Sequence, residues 1–293
     1  MSALQDPGRA PLAAPELPAA AQAVLAQARR YETPCGDGST VWHAWGEGAP
    51  LVLLHGGSGS WNHWLRNVLP LAASGRRVWV PDLPGFGDSA LPPGRHDADG
   101  LPTPLAAGVA QLLGAADYDL VGFSFGGMVA GLMAADHGAH VRRLVIVGAP
   151  ALGVPFGRQV PLKGWRHLPD AQAQDAVHRH NLQALMVRDP DLVDDTVLAL
   201  HRSNVLRDRM PGRRLSRTDL LARTLERVDC PVHAIFGRAD PLYEQGIEGL
   251  SAVLPALARR FTGLDLIDGA GHWVQYESAA AFNARLLAAL GPA

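Results

Sequence analysis

Lysine is almost absent from these 293 residues: Lys163 is the only one, and arginine carries the rest of the positive charge. With 26 basic side chains against 28 acidic ones the net charge is -2, and the isoelectric point lies near 6.6. So balanced a chain has no basic field for a phosphate backbone, which argues against nucleic-acid binding. Cysteine is scarce too. Cys35 and Cys230 form no CxxC or metal spacing and read as reduced thiols, the pattern of a cytoplasmic protein. The start, "MSALQDPGRAPLAAPELPAA", lacks a basic stretch followed by an apolar core, so it reads as a loose lead-in over residues 1–30 and not as a signal peptide. The least charged run, Leu144 to Gly157, is too short and too interrupted by Gly and Pro to cross a bilayer. Neither "GFGDS" nor "GFSFGG" has the spacing of a P-loop or dinucleotide fingerprint, so no cofactor is expected. His178 and His180 form an H-x-H pair without a third ligand, so no metal is expected either.

What is present is an alternation. "TVWHAW" (40–45), "PLVLLHG" (50–56), "RRVWVPD" (76–82), "YDLVGF" (118–123) and "VRRLVIVG" (141–148) are β-rich runs bounded by turn residues. Helical spacing fills the gaps at 61–73, 104–113 and 126–137. Strands rich in Val, Leu and Ile alternating with helices predict an α/β fold with a mainly parallel sheet covered on both faces. From about 149 to 227 the pattern is helical and rich in arginine; strand character returns at 230–237 and 264–268, and a last helix is expected over 278–290. The expected layout is a core of 31–148 and 228–293 interrupted by a helical insertion over 149–227.

Ser124 falls where the strand "YDLVGF" ends and a helix begins, between Gly122 and Gly126. A sharp strand-to-helix turn forces its central residue into a strained conformation and needs small neighbours. The free N–H groups and positive dipole of the following helix favour negative charge developing nearby. A serine hydroxyl needs a base, and the base needs a carboxylate to orient it. His272 in "GAGHWVQYE" and Asp240 in "IFGRADPLY" both follow strands, at the edge where open α/β sheets build their sites. Asp265 and Asp268 are weaker choices for the acid. The loop "LLHGGSGSW" supplies flexible backbone for an oxyanion hole, with Gly57 and Phe125 as the expected amide donors and His55 as a structural hydrogen bonder.

With "HGG", "DLPGFGDS", "GFSFGG", "GRAD" and "GAGHW" in this order, the chain resembles the α/β-hydrolases from about Thr40 onward. The resemblance implies an eight-stranded sheet flanked by helices, with a helical cap, about 149–227, over the site. Serine as nucleophile disfavours the dehalogenase and epoxide hydrolase chemistries of that fold, which use aspartate. Two serine-based readings remain. One is a carboxylesterase acting through an acyl-enzyme. The other is a carbon–carbon bond hydrolase of aromatic ring-fission products, whose histidine region resembles "GHWVQYESAAAFN" with its Trp273. By that resemblance Arg202 stands about where those enzymes carry a substrate-contacting cap arginine. Against it, their asparagine before the nucleophile is Phe123 here, and His63 replaces another polar pocket residue. The ester reading is therefore preferred at this point, and a ligand-binding receptor of the same fold is the third reading.

Eleven arginines and Lys163 between residues 150 and 225 face eight aspartates and no glutamate, so a small carboxylate-bearing or aromatic ester suits the insertion. Phe123, Arg202 and Trp273 are the expected substrate contacts. No nucleic-acid or membrane partner is expected, and for assembly the only guide is that two-fold dimers are common.

Overall fold

The computed structural model describes residues 16–94, 96–154, 160, 162–244 and 246–293. Eight strands make one sheet: β1 (Arg29–Cys35), β2 (Gly38–Trp45), β3 (Ala49–Leu54), β4 (Arg76–Pro81), β5 (Tyr118–Phe123), β6 (Val141–Val147), β7 (Val232–Gly237) and β8 (Phe261–Ile267). Their order is β1-β2-β4-β3-β5-β6-β7-β8, antiparallel across β1/β2 and β2/β4 and parallel elsewhere.

The apolar runs feed two cores at once. On β3, Val52 and Leu54 enter the layer beneath helices Pro102–Leu113 and Phe125–His137, while Leu51 and Leu53 enter the layer beneath Val68–Ala73 and Ala279–Leu290. All four are fully buried, which is why no polar residue interrupts that strand. The chain passes from β3 to β4 on one side and then back across to β5 on the other, and such a reversal of strand order sets the place for a site at the carboxyl ends of the strands.

Two expectations change. The lead-in over 1–30 is partly structured: helix Ala19–Leu25 buries Ala21, and Trp45 Nε1 donates to the Val24 carbonyl at 2.9 Å. Residues 1–15 lie outside the described ones. Strand β1 was not legible because it is an edge strand, mostly exposed and carrying Pro34, so it shows no apolar run. The segment between β6 and β7 is helical as expected, with helices Ala171–Asn181, Asp195–Leu206 and Leu220–Leu225. The last of these belongs to the main core: Leu221 and Leu225 are buried in the same layer as helix Phe125–His137. Among the described residues no helix is long and apolar enough to cross a membrane.

Far from those carboxyl ends, Asp119 on β5 is fully buried and binds Arg76 of β4 at 2.8 Å and Arg142 of β6 at 2.5 Å. Arg76, 1% exposed, also donates to the Gly291 carbonyl at 2.7 Å. Replacing Asp119 with Ala strands a buried guanidinium. The expected loss is about 3–5 kcal/mol of unfolding free energy, read from urea melts. A loss below about 1 kcal/mol would show that this cluster is not a structural tie.

Candidate active site

Ser124 sits at the β5-to-helix corner with φ 52° and ψ -118°, a conformation that side-chain-bearing residues rarely adopt. Two close approaches impose it. A side chain at Gly122 would collide with the Gly126 carbonyl, and one at Gly126 would collide with the carbonyls of Leu54 and His55. The Ser124 amide is tied to the Val147 carbonyl of β6 at 2.7 Å. The serine is partly exposed, although its neighbours Phe123 and Phe125 are buried.

His272, in the loop after β8, places Nε2 2.9 Å from Ser124 Oγ and Nδ1 2.7 Å from Asp240 Oδ2. Asp240, just beyond β7, is fully buried, and its Oδ1 accepts the Leu242 N–H at 2.9 Å. The carboxylate is thus oriented before it meets the ring. By accepting a hydrogen bond from Nδ1–H it keeps the ring proton on Nδ1 and leaves Nε2 free to accept from the serine hydroxyl. The structure therefore brings together the alcohol, the imidazole and the acid chosen from sequence. Asp265 is engaged elsewhere, 2.9 Å from His233 Nε2.

The loop after β3 is pinned through two uncharged histidines. His55 Nδ1 donates to the Gly56 carbonyl at 2.8 Å, and its Nε2 accepts the Leu83 N–H at 2.8 Å. Burial pushes its pKa down to about 4. The Gly56 N–H donates to His63 Nδ1 at 3.2 Å, and burial, reinforced by His55, His201 and His272, holds that ring well below the ordinary histidine range. The amides of Gly57 and Phe125 donate to no acceptor among the described residues, as an oxyanion hole requires.

The expected substrate contacts fare differently. Phe123 has no exposed surface; its ring packs against two imidazoles, 5.0 Å from that of His272 and 5.6 Å from that of His63. Trp273 is 2% exposed, stacks on Tyr276 at 4.2 Å, and donates from Nε1 to the His63 carbonyl at 2.9 Å. Arg202 lies on helix Asp195–Leu206, with its guanidinium 3.3 Å from Asp175. None of these three is placed as a free substrate ligand. Asn204, Asp208 and Arg213, not among the expected site residues, reach down to the loop after β3. Asp208 and Arg213 are marked in the sequence only by the dense charge of "RDRMPGRR", and Asn204 by nothing.

The alpha/beta hydrolase family profile matches residues 51–285. The 2-hydroxymuconate semialdehyde hydrolase of Pseudomonas sp. (strain CF600) is 30% identical over 257 residues, covering 83% of this chain and 87% of that protein. The 2-hydroxy-6-oxo-6-phenylhexa-2,4-dienoate hydrolase of Burkholderia cepacia is 28% identical, covering 81% and 86%. Among solved structures, the meta-cleavage product hydrolase CumD from Pseudomonas fluorescens IP01 superposes with a TM-score of 0.72 at 23% identity, covering 89% of this chain and 97% of that one. The chain belongs to the alpha/beta hydrolase family. It is a hydrolase, and these relatives are named for 2-hydroxymuconate semialdehyde and for 2-hydroxy-6-oxo-6-phenylhexa-2,4-dienoate and not for an ester, so the preference for an ester drawn from Phe123 and His63 is not the one they favour.

Burial of His55 in its neutral form has a consequence in acid. The unfolded ring titrates near 6.5 and the folded one near 4, so between these values the unfolded chain binds more protons. Stability must fall as the pH drops through that window, by about 3 kcal/mol at pH 4 from this residue. Urea melts at pH 7, 5.5 and 4.5 on the wild type and His55→Asn check it. The variant should start less stable and show a shallower fall, and parallel slopes would refute the assignment.

Proposed function

We propose that this hydrolase cleaves a carbon–carbon bond next to the keto group of a 2-hydroxy-6-oxo-dienoate, a ring-fission product of aromatic compounds. The observation that carries it is the agreement of near full-length relatives, named for such substrates, with a serine, histidine and aspartate in hydrogen-bonded sequence at the strand ends. The oxidised, extended substrate class also suits an insertion with an excess of arginine, since each such molecule carries a carboxylate.

In this reading Ser124 Oγ adds to the keto carbonyl and its proton passes to His272 Nε2. The amides of Gly57 and Phe125 receive the negative charge that gathers on the carbonyl oxygen, and Asp240 steadies the imidazolium. The carbon–carbon bond breaks from the 2-keto tautomer, in which the 2-hydroxyl proton has already moved to the carbon beside the reacting carbonyl; the electron pair enters the conjugated ketone as a dienolate, whose oxygen takes up the proton from His272. Water, activated by His272, releases the acyl group as a carboxylic acid. The net reaction consumes one water and yields an acid and a hydroxydienoate.

The two departures that argued for an ester carry less weight in three dimensions. Phe123 offers no surface to a substrate, so it neither helps nor obstructs a dienolate. His63 is neutral with Nδ1 accepting from Gly56, which leaves the ring proton on Nε2 and preserves a donor of the amide kind. Carboxylic ester hydrolysis stays as the second reading, because the same serine and histidine perform it with no rearrangement.

A substrate panel decides between them. Loss of the dienoate chromophore should run with a kcat/KM at least ~100-fold above that for nitrophenyl acetate and aromatic half-esters. Ester turnover with an inert dienoate would reverse the assignment. In either case Ser124→Ala should lose roughly 10⁴-fold or more in kcat and all labelling by a fluorophosphonate. A labelled Ser124→Ala protein would mean that another residue is the nucleophile.

A further inference from the structure

Three described residues other than glycine have positive φ: Ser58 at 49°, Ser124 at 52° and Ala151 at 64°. The second is the corner already described. The first directly follows Gly57, one of the two expected oxyanion donors, and nothing in "HGGSGS" itself obliges a serine to stay there. Its partners come from 150 residues away in the chain. Ser58 Oγ donates to Asp208 Oδ2 at 2.5 Å. Arg213 grips the same carboxylate with both ends of its fork, Nη1 at 2.9 Å from Oδ1 and Nη2 at 3.1 Å from Oδ2, and Nη2 lies 3.3 Å from Ser58 Oγ. Asp208 is 8% exposed and Arg213 15%, so the pair is shielded from water.

The same guanidinium packs beside both residues whose amides are the expected oxyanion donors. A methyl group at Gly57 would lie 3.2 Å from Arg213 Nη2, and the guanidinium carbon stands 5.2 Å from the ring centre of Phe125 and 4.8 Å from that of Phe86. The rest of the loop hangs from the same segment. Ser60 Oγ donates to Asn204 Oδ1 at 2.8 Å, and Asn62 and Asn204 exchange amide hydrogen bonds at 3.0 and 2.7 Å.

We infer that Asp208 and Arg213 are positioning residues for the oxyanion hole: they hold Ser58 in its left-handed conformation and thereby aim the Gly57 amide at the reacting carbonyl oxygen. The inference rests on the reading of Ser124 as nucleophile. A serine released from the carboxylate relaxes toward extended backbone, where side-chain-bearing residues are favoured, and the peptide before it turns. Amide donors act only when fixed in advance, so the loss falls on the transition state and not on substrate binding.

The test uses the full chain and two readouts, steady-state kinetics on the substrate that the wild type cleaves and the rate of fluorophosphonate labelling. Asp208→Ala should lower kcat and labelling together, by about 10- to 100-fold, with KM within about threefold of wild type. Adding Ser58→Gly should restore most of both rates, because glycine holds a positive φ without a latch. A merely structural contact would give no such rescue. Asp208→Asn, which keeps the shape, is measured alongside in case the alanine variant does not fold, and is expected to lose less than alanine. A folded Asp208→Ala protein with wild-type rates, or one that Ser58→Gly does not rescue, overturns the inference. A wild type inert to the probe fails at the earlier step, the nucleophilic role of Ser124, and removes the inference with it.

Discussion

The site depends on a near-contact between backbones. Helix Phe125–His137 comes so close to β3 and to its own approach strand that no side chain fits at Gly122 or Gly126. That proximity leaves the chain one way round the corner, with Ser124 at positive φ and its hydroxyl projecting from the sheet edge toward His272. The conformational cost, of order 1–3 kcal/mol, is met by packing in two apolar layers. A site held on strand ends in this way needs little further support to be precise.

What support it has comes from neutral imidazoles and tied loops. His55 links the loop after β3 to the loop after β4, His63 links it to its own continuation, and Trp273 binds the histidine loop to the His63 carbonyl. Uncharged rings suit this role: each can donate on one side and accept on the other without a desolvated charge in the core. The charged latch of Asp208 and Arg213 lies on the outer side of the same loop, next to the partly exposed Gly57 and Ser58. The neutral rings come from the core's own loops, and the ionic pair comes from the insertion, where each charge is neutralised by its partner.

Much of this was legible in the chain. Ser124, His272 and Asp240 could be named because each follows an apolar run and carries turn residues around it, and strand ends on a parallel sheet converge on one edge. The edge strand β1 could not, since exposure removes the apolar signal on which such readings rest. The roles of Phe123, Trp273 and Arg202 could not either. A flanking position or a resemblance says which residues are near, but whether a ring faces a substrate or lies against an imidazole depends on packing that spacing does not encode. Asp208 and Arg213 look in sequence like any solvated charge run; only the partner 150 residues earlier distinguishes them.

The separation of the serine from its base also orders events during synthesis. Ser124 precedes His272 by 148 residues, and the imidazole arrives on a loop that follows the eighth strand. The corner at Ser124 can turn early, yet its hydroxyl meets the imidazole only once the far edge of the sheet has paired. The Ser124–His272 hydrogen bond is thus a mark of the assembled sheet, present only when its last strand is in place.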